Sequence, residues 1–125
     1  MKETISTPNA PNAIGPYSQG VKANGFVFTS GQLPMNPATG ELEKNDIKKA
    51  TALVLENVKN ILEAGGLGLE NVVKATVFLR DMANFAAMNE VYGTYFGRDC
   101  PARSAVQVAA LPLGVPIEIE VIAAV

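Results

Sequence analysis

Between Asp46 and Ala64, apolar residues recur at helical spacing (Ile47, Ala50, Val54, Val58, Ile61, Leu62), while Lys48, Lys49, Glu56, Lys59 and Glu63 occupy the remaining positions. This period predicts an amphipathic helix with a single apolar stripe, suited to lying across a sheet. Asn45 or Asp46 can cap its start, and Gly65-Gly66 stop it. Elsewhere the period shortens to two. Val73 to Leu79 alternates, with Val73, Ala75, Val77 and Leu79 against Lys74, Thr76 and Phe78, the signature of a strand. Ser104 to Ala109 and Ile117 to Ala124 are rich in branched residues and read as two further strands. Tyr17 to Ala23 and Phe26 to Ser30 flank Asn24-Gly25, which supplies the two positive-φ residues of a tight hairpin turn. Asn36-Pro37-Ala38-Thr39-Gly40 marks a second turn. Asn84 to Phe96 predicts a second helix with Phe85, Met88, Tyr92 and Tyr95 or Phe96 turned inward.

The order is therefore hairpin, helix, strand, helix, strand, strand. It predicts one α+β domain over residues 1–125, a mixed sheet with both helices on one face. The other sheet face ought then to be polar, yet the last strands contribute Val106, Val108, Ala110, Ile117, Ile119, Val121 and Ile122, apolar on both sides. A second covering surface is needed, most simply another subunit, so an obligate oligomer is expected.

Composition narrows the chemistry chiefly by what is missing. Among 125 residues there is no histidine and a single cysteine, Cys100. Ser-His-Asp and Cys-His catalysis, histidine-ligated metals and thiolate zinc sites are thereby excluded, and no internal disulfide can form. No glycine-rich nucleotide fingerprint occurs. The net charge of −2 provides no basic surface for nucleic acid or anionic membrane. The expected setting is a reducing cytoplasm, since the first residues have no leader-like apolar core and no apolar run is long enough to span a membrane. Acid–base chemistry has to run through Asp, Glu, Lys, Tyr, the one thiol or ordered water.

One constellation remains. Arg103 is one of three arginines and stands in an apolar stretch, and the only charges downstream of it are Glu118 and Glu120. The two glutamates are two apart in a strand and project to one sheet face, where apolar neighbours would desolvate a carboxylate and raise its pKa. The guanidinium has two possible partners: one of these glutamates in a structural ion pair, or the carboxylate of a ligand gripped through parallel hydrogen bonds. Tyr17 follows the rigid Ile14-Gly15-Pro16 turn, and on its own reads as a rim or core tyrosine. Gly31, after Ser30, permits close approach to main-chain N–H groups. Asn89 on its own reads as an exposed helical amide, Cys100 as a spectator thiol, and Ser104 lacks a base to make it a nucleophile.

Ile14-Gly15-Pro16-Tyr17, Thr29-Ser30-Gly31-Gln32, Val73-Lys74-Ala75-Thr76-Val77-Phe78, Met88-Asn89-Glu90-Val91-Tyr92 and Pro101-Ala102-Arg103-Ser104 through Ile117-Glu118-Ile119-Glu120 closely resemble the Rid family, formerly YjgF. The likeness spans nearly the whole chain in order. It implies a chorismate-mutase-like α+β fold and a homotrimer, its sheets packed around a central barrel with clefts between subunits. It also implies hydrolysis of 2-imino acids, such as 2-iminobutanoate and 2-iminopropanoate, to 2-oxo acids and ammonia, protecting pyridoxal-phosphate enzymes from these intermediates. In that role Arg103 would hold the substrate carboxylate and Glu118 would activate water and shuttle its proton. Gly31 and Ala105 would offer main-chain groups, and Tyr17, Ser30 and Asn89 would line the cleft, partly from a neighbouring subunit. Glu120 would be structural. Many deaminases of this branch carry cysteine two residues after the arginine, where this chain has Ala105. A protonated imine is already electrophilic, so the reaction calls for no metal, cofactor or covalent nucleophile. Two other classes compete with this reading: a regulatory protein binding 2-oxo acids in the same cleft, and a ribonuclease, a label often attached to this family. Net acidity and the absence of histidine speak against the ribonuclease.

Overall fold

The Asp46 carboxylate accepts hydrogen bonds from the backbone N–H groups of Lys48 and Lys49, at 3.0 and 3.2 Å, and so opens helix α1, Ile47–Ala64. Gly65 closes it, its N–H donating back to the carbonyls of Ile61 and Leu62. The stripe of Val54, Val58, Ile61 and Leu62, joined by Leu55, is fully buried. In this computed structural model, which describes residues 1–125, α1 lies on a sheet of six strands. They are β1 (Glu3–Ile5), β2 (Gly20–Ala23), β3 (Phe26–Thr29), β4 (Val72–Leu79), β5 (Ala102–Gln107) and β6 (Ile117–Ala124). A second helix, α2 (Phe85–Phe96), packs beside α1.

Across the sheet the order is β1-β2-β3-β6-β4-β5. All neighbours run antiparallel except β4 and β5, which are parallel because α2 is the crossover between them. Asn24 and Gly25, with φ of 52° and 80°, form the tight β2–β3 turn their sequence predicts.

β2 begins at Gly20 rather than Tyr17 and β5 ends at Gln107 rather than Ala109, and three further features differ from expectation because strand pairing outweighs side-chain pattern. β1 is only three residues long, too short to leave a period, and exists because Glu3–Ile5 pair with Lys22–Gly20. Val73 is exposed rather than buried: the β4–β6 register slips between Val72 and Lys74, so Val72 takes the inward position. β5 begins at Ala102, not Ser104, because it follows β4 in register from Lys74 to Leu79. Arg103 consequently sits on a strand, with a fixed facing.

Alternation along β6 divides the sheet into two surfaces. Ile117, Ile119, Val121 and Ala123 point under the helices, with Val27, Ala75, Val77 and Leu79 beside them in one core. Glu118, Glu120 and Ile122 point the other way, alongside Phe28, Lys74, Thr76, Phe78 and Val106. Within one chain nothing covers this second face, and Phe26 and Phe28 are each 41% exposed.

Truncating a fully buried α1 side chain should cost what a core cavity costs. Ile61→Ala is expected to lower unfolding stability by about 2–5 kcal/mol, read from the shift of a urea denaturation midpoint. A loss under about 0.5 kcal/mol would mean that α1 is not the lid of this core.

Candidate active site

Arg103 on β5 pairs with Ala75 of β4, a residue buried beneath the helices, so its side chain emerges on the helical side of the sheet. There α2 receives it. Arg103 Nη1 donates to Asn89 Oδ1 at 2.8 Å, and the guanidinium lies 4.7 Å from the ring centre of Tyr92 and 5.5 Å from that of Phe85. Two ring faces and one amide orient the cation without neutralising it. The one ion pair in the chain, Lys48–Glu90 at 2.6 Å, is elsewhere on the surface. Of the two partners open to Arg103 from sequence, the intrachain glutamate is therefore not the one it has. Asn89, an exposed amide on sequence grounds alone, is instead a hook for the guanidinium.

Glu118 stands on the opposite face. It pairs with Phe78 of β4, three register positions from the Ala75–Arg103 pair and one strand further from β5. Strand spacing and rise put the two sites roughly 14 Å apart, with the sheet between their side chains. The Glu118 carboxylate accepts no hydrogen bond within the chain, and burial pushes its pKa up, with the adjacent charge of Glu120 adding to the effect.

The residues around Glu118 come from loops held by main-chain pairing. Gln32 and Ile119 exchange both backbone hydrogen bonds, at 2.8 and 3.2 Å, which lays Gly31 against Glu118. A side chain at position 31 would collide with the carboxylate, whose Cδ and Cγ lie 2.8 and 3.0 Å from where a Cβ would stand. Glycine here makes room for a functional group. Ser30 Oγ donates to Ser18 O at 2.6 Å, tying the strand end to the loop that carries Tyr17. Tyr17 is half-exposed and forms, with Ile14, Ser30, Gly31, Leu33, Leu113 and Glu118, a cleft of about 450 Å³. Thus Tyr17, Ser30, Gly31 and Glu118 come together, Arg103 and Asn89 come together, and one chain does not unite the two groups.

Ala105 lies two residues along β5 from Arg103, on the same face, packed at the margin of the core. β5 is the edge of the sheet, so alternate main-chain groups near Ala105 face outward, free to meet a ligand or another chain. Ser104 points to the opposite face, where it accepts from Lys74 Nζ at 3.1 Å. Cys100 is exposed. Glu120 is exposed and in no ion pair; it pairs with Thr76 of β4, and its charge adds to the upward shift at Glu118.

Sequence reasoning missed Gln19, the buried amide that fastens the N-terminal loop. Its Oε1 accepts from Thr7 N, and its Nε2 donates to the carbonyls of Thr7, Ala10 and Pro11. A lone glutamine carries no sequence signal of this. It also missed Phe85 and Tyr92 as the seat of Arg103, since aromatics at helical spacing read as core.

Residues 7–125 match the family described as Endoribonuclease L-PSP. The chain is 59% identical over 123 residues to a RutC family protein of Pyrococcus horikoshii, the match covering 98% of each. It is 50% identical over 122 residues to Reactive Intermediate Deaminase A, chloroplastic, of Arabidopsis thaliana, covering 98% of this chain and 65% of that protein. The crystal structure of Escherichia coli TdcF with bound serine superposes with a TM-score of 0.95 at 48% identity, over 98% of each chain.

The Tyr92 hydroxyl is buried without a hydrogen-bond partner, and burial pushes its pKa up against the opposing charge of Arg103. Only its ring serves the guanidinium. Tyr92→Phe should therefore leave the seat intact and raise stability by about 1 kcal/mol or more, measured by chemical denaturation. A clear loss of stability would show that the hydroxyl has a role the ring does not explain.

Proposed function

This chain belongs to the Rid family, and from that premise we propose that it is a cofactor-free deaminase hydrolysing 2-imino acids, 2-iminobutanoate and 2-iminopropanoate among them, to 2-oxo acids and ammonia. The observation that carries this reading is Arg103, a guanidinium fixed between two rings, with a single amide partner and no protein carboxylate. Such a group is ready for the carboxylate that every 2-imino acid carries. The deaminase name of the 50%-identical plant relative and the amino acid bound by TdcF support the same substrate class.

The second half of the proposal is that the site is shared between subunits of a homotrimer. Arg103 and Glu118 point to opposite faces of one sheet, so a small substrate touching both must take them from different chains. The uncovered apolar face of Phe26, Phe28 and Val106 supports an assembly that buries it.

The chemistry then follows from charge and position. Arg103 holds the substrate carboxylate, with Asn89 keeping the fork in orientation. Glu118, in its ionised form, takes a proton from water as the water oxygen bonds to the imine carbon. It returns that proton to nitrogen and, as the C–N bond breaks and the carbonyl forms, the freed carboxylate takes the remaining hydroxyl proton and passes it to the departing ammonia. Desolvation makes Glu118 a stronger base than an exposed glutamate, suited to both transfers. Main-chain groups near Gly31 and Ala105 bind the ligand and water, while Tyr17 and Ser30 shape the cleft. RNA cleavage, suggested by the family description, has no support here: the chain is acidic, and the only cation placed at this site is one arginine.

With imine generated in situ by a threonine dehydratase, the wild-type protein should accelerate ammonia release, and Arg103→Ala should reduce kcat/KM by at least about thirtyfold. Unchanged rates in a folded variant would remove Arg103 from the site. Glu118→Gln should retain 2-oxobutanoate binding and lose turnover. The wild-type acid limb of the pH profile should lie above the ordinary glutamate range, because burial raises the pKa of the base. Glu120→Gln removes the smaller of its two causes, so the limb should move to lower pH without vanishing. A limb that stays put, or moves up, would contradict the assignment of Glu118 as the base.

A further inference from the structure

The cleft at Glu118 does not end there. It adjoins a second space of about 260 Å³, lined by the apolar Pro11 and Met35 and the amides of Asn12 and Gln32, with Ile14, Tyr17, Gly31, Leu33 and Leu113 common to both. That volume lies just below the roughly 300–1,000 Å³ of sites for drug-sized ligands, a size for a short alkyl group.

Leu113 stands where the two spaces meet, and its backbone is unusual. Its φ of 58° and ψ of 16° lie in the left-handed region, which a branched side chain rarely occupies. The loop is held so from outside. Arg80 Nη1 donates to Gly114 O at 2.6 Å, Arg80 N donates to Pro116 O at 3.0 Å, and Gly114 N closes a turn onto Leu111 O at 3.2 Å. A large apolar side chain, 53% exposed within the chain, is thus aimed by a pinned and sterically disfavoured loop. Such outliers persist where the surrounding structure over-determines them, and they gather at ligand sites.

We infer that this cavity receives the aliphatic side chain of the proposed 2-imino acid substrates and that Leu113 is its specificity-determining wall, the residue against which side-chain length is read. The inference rests on the imine-deaminase reading for the location of the carboxylate and the reacting carbon. It adds where the side chain sits and which residue discriminates its length. No cationic side chain lines the cavity, so acidic side chains find no opposite charge there.

Calorimetric binding of 2-oxo acids tests this independently of turnover, using the intact protein and the ligands 2-oxopropanoate, 2-oxobutanoate, 4-methyl-2-oxopentanoate and 2-oxoglutarate. Affinity should rise about fourfold per added methylene across the aliphatic series, and 2-oxoglutarate should bind more weakly than 4-methyl-2-oxopentanoate. Leu113→Ala should reduce the ratio of 4-methyl-2-oxopentanoate to 2-oxopropanoate affinity about tenfold, and Leu113→Met should restore it. A flat series, equal binding of 2-oxoglutarate, no binding of any member, or a ratio unmoved by Leu113→Ala in a folded protein would overturn the inference. A graded series in a protein that never accelerates imine hydrolysis would support the pocket and refute the deaminase reading. An active deaminase with a flat series would do the reverse.

Discussion

Everything at the candidate site depends on the two-residue alternation of β6 against a sheet whose one face is sealed by helices. Ile117, Ile119 and Val121 are fully or almost fully buried beneath those helices. A strand that commits its odd positions to the core has no choice over its even ones, and Glu118 and Glu120 must project from the other surface. The same constraint, carried across β4 by register, turns Arg103 toward the helices. Core packing therefore determines the separation of Glu118 from Arg103, the proposed acid–base and carboxylate-binding groups. A one-residue slip of either strand would exchange core and site together.

The two groups are prepared in different ways. Arg103 is held by shape, between aromatic rings and one amide, so its charge is undiminished and its remaining N–H donors stay free. Glu118 is tuned by environment: glycine at position 31 lets the chain close over it, and burial raises its pKa. An oriented cation and a desolvated carboxylate are what binding an anion and moving a proton require. Each half is built on rigid pairing, β5 on β4 for the arginine and the Gln32–Ile119 bridge for the glutamate.

Much of this was legible in the chain itself. The period of α1, the Asn-Gly turn and the Ile-Glu-Ile-Glu alternation express local rules, and each reads directly into structure. The pairing of Arg103 with Asn89, fourteen residues earlier, is not local. It arises because β5 returns beside β4 with α2 above both, and no periodicity encodes that register. Residue type also misled in places. Tyr92 and Phe85 obey the spacing of core aromatics while also serving as a cation seat, and Leu113 looks like any loop leucine until its backbone angles are known. β1 left no trace because three residues are too few for a period.

The central claim is that one reaction centre draws Arg103 and Glu118 from different subunits. Subunit complementation tests it most directly. Arg103→Ala and Glu118→Ala chains, each inactive alone, would be co-expressed and all of their oligomers, mixed and single-chain alike, purified together. With random association, one site in about four combines an intact Arg103 from one chain with an intact Glu118 from the other. Deaminase activity should return to about a quarter of wild type. Mixed oligomers that remain as inactive as either parent would place both groups in a single chain's site and contradict the account.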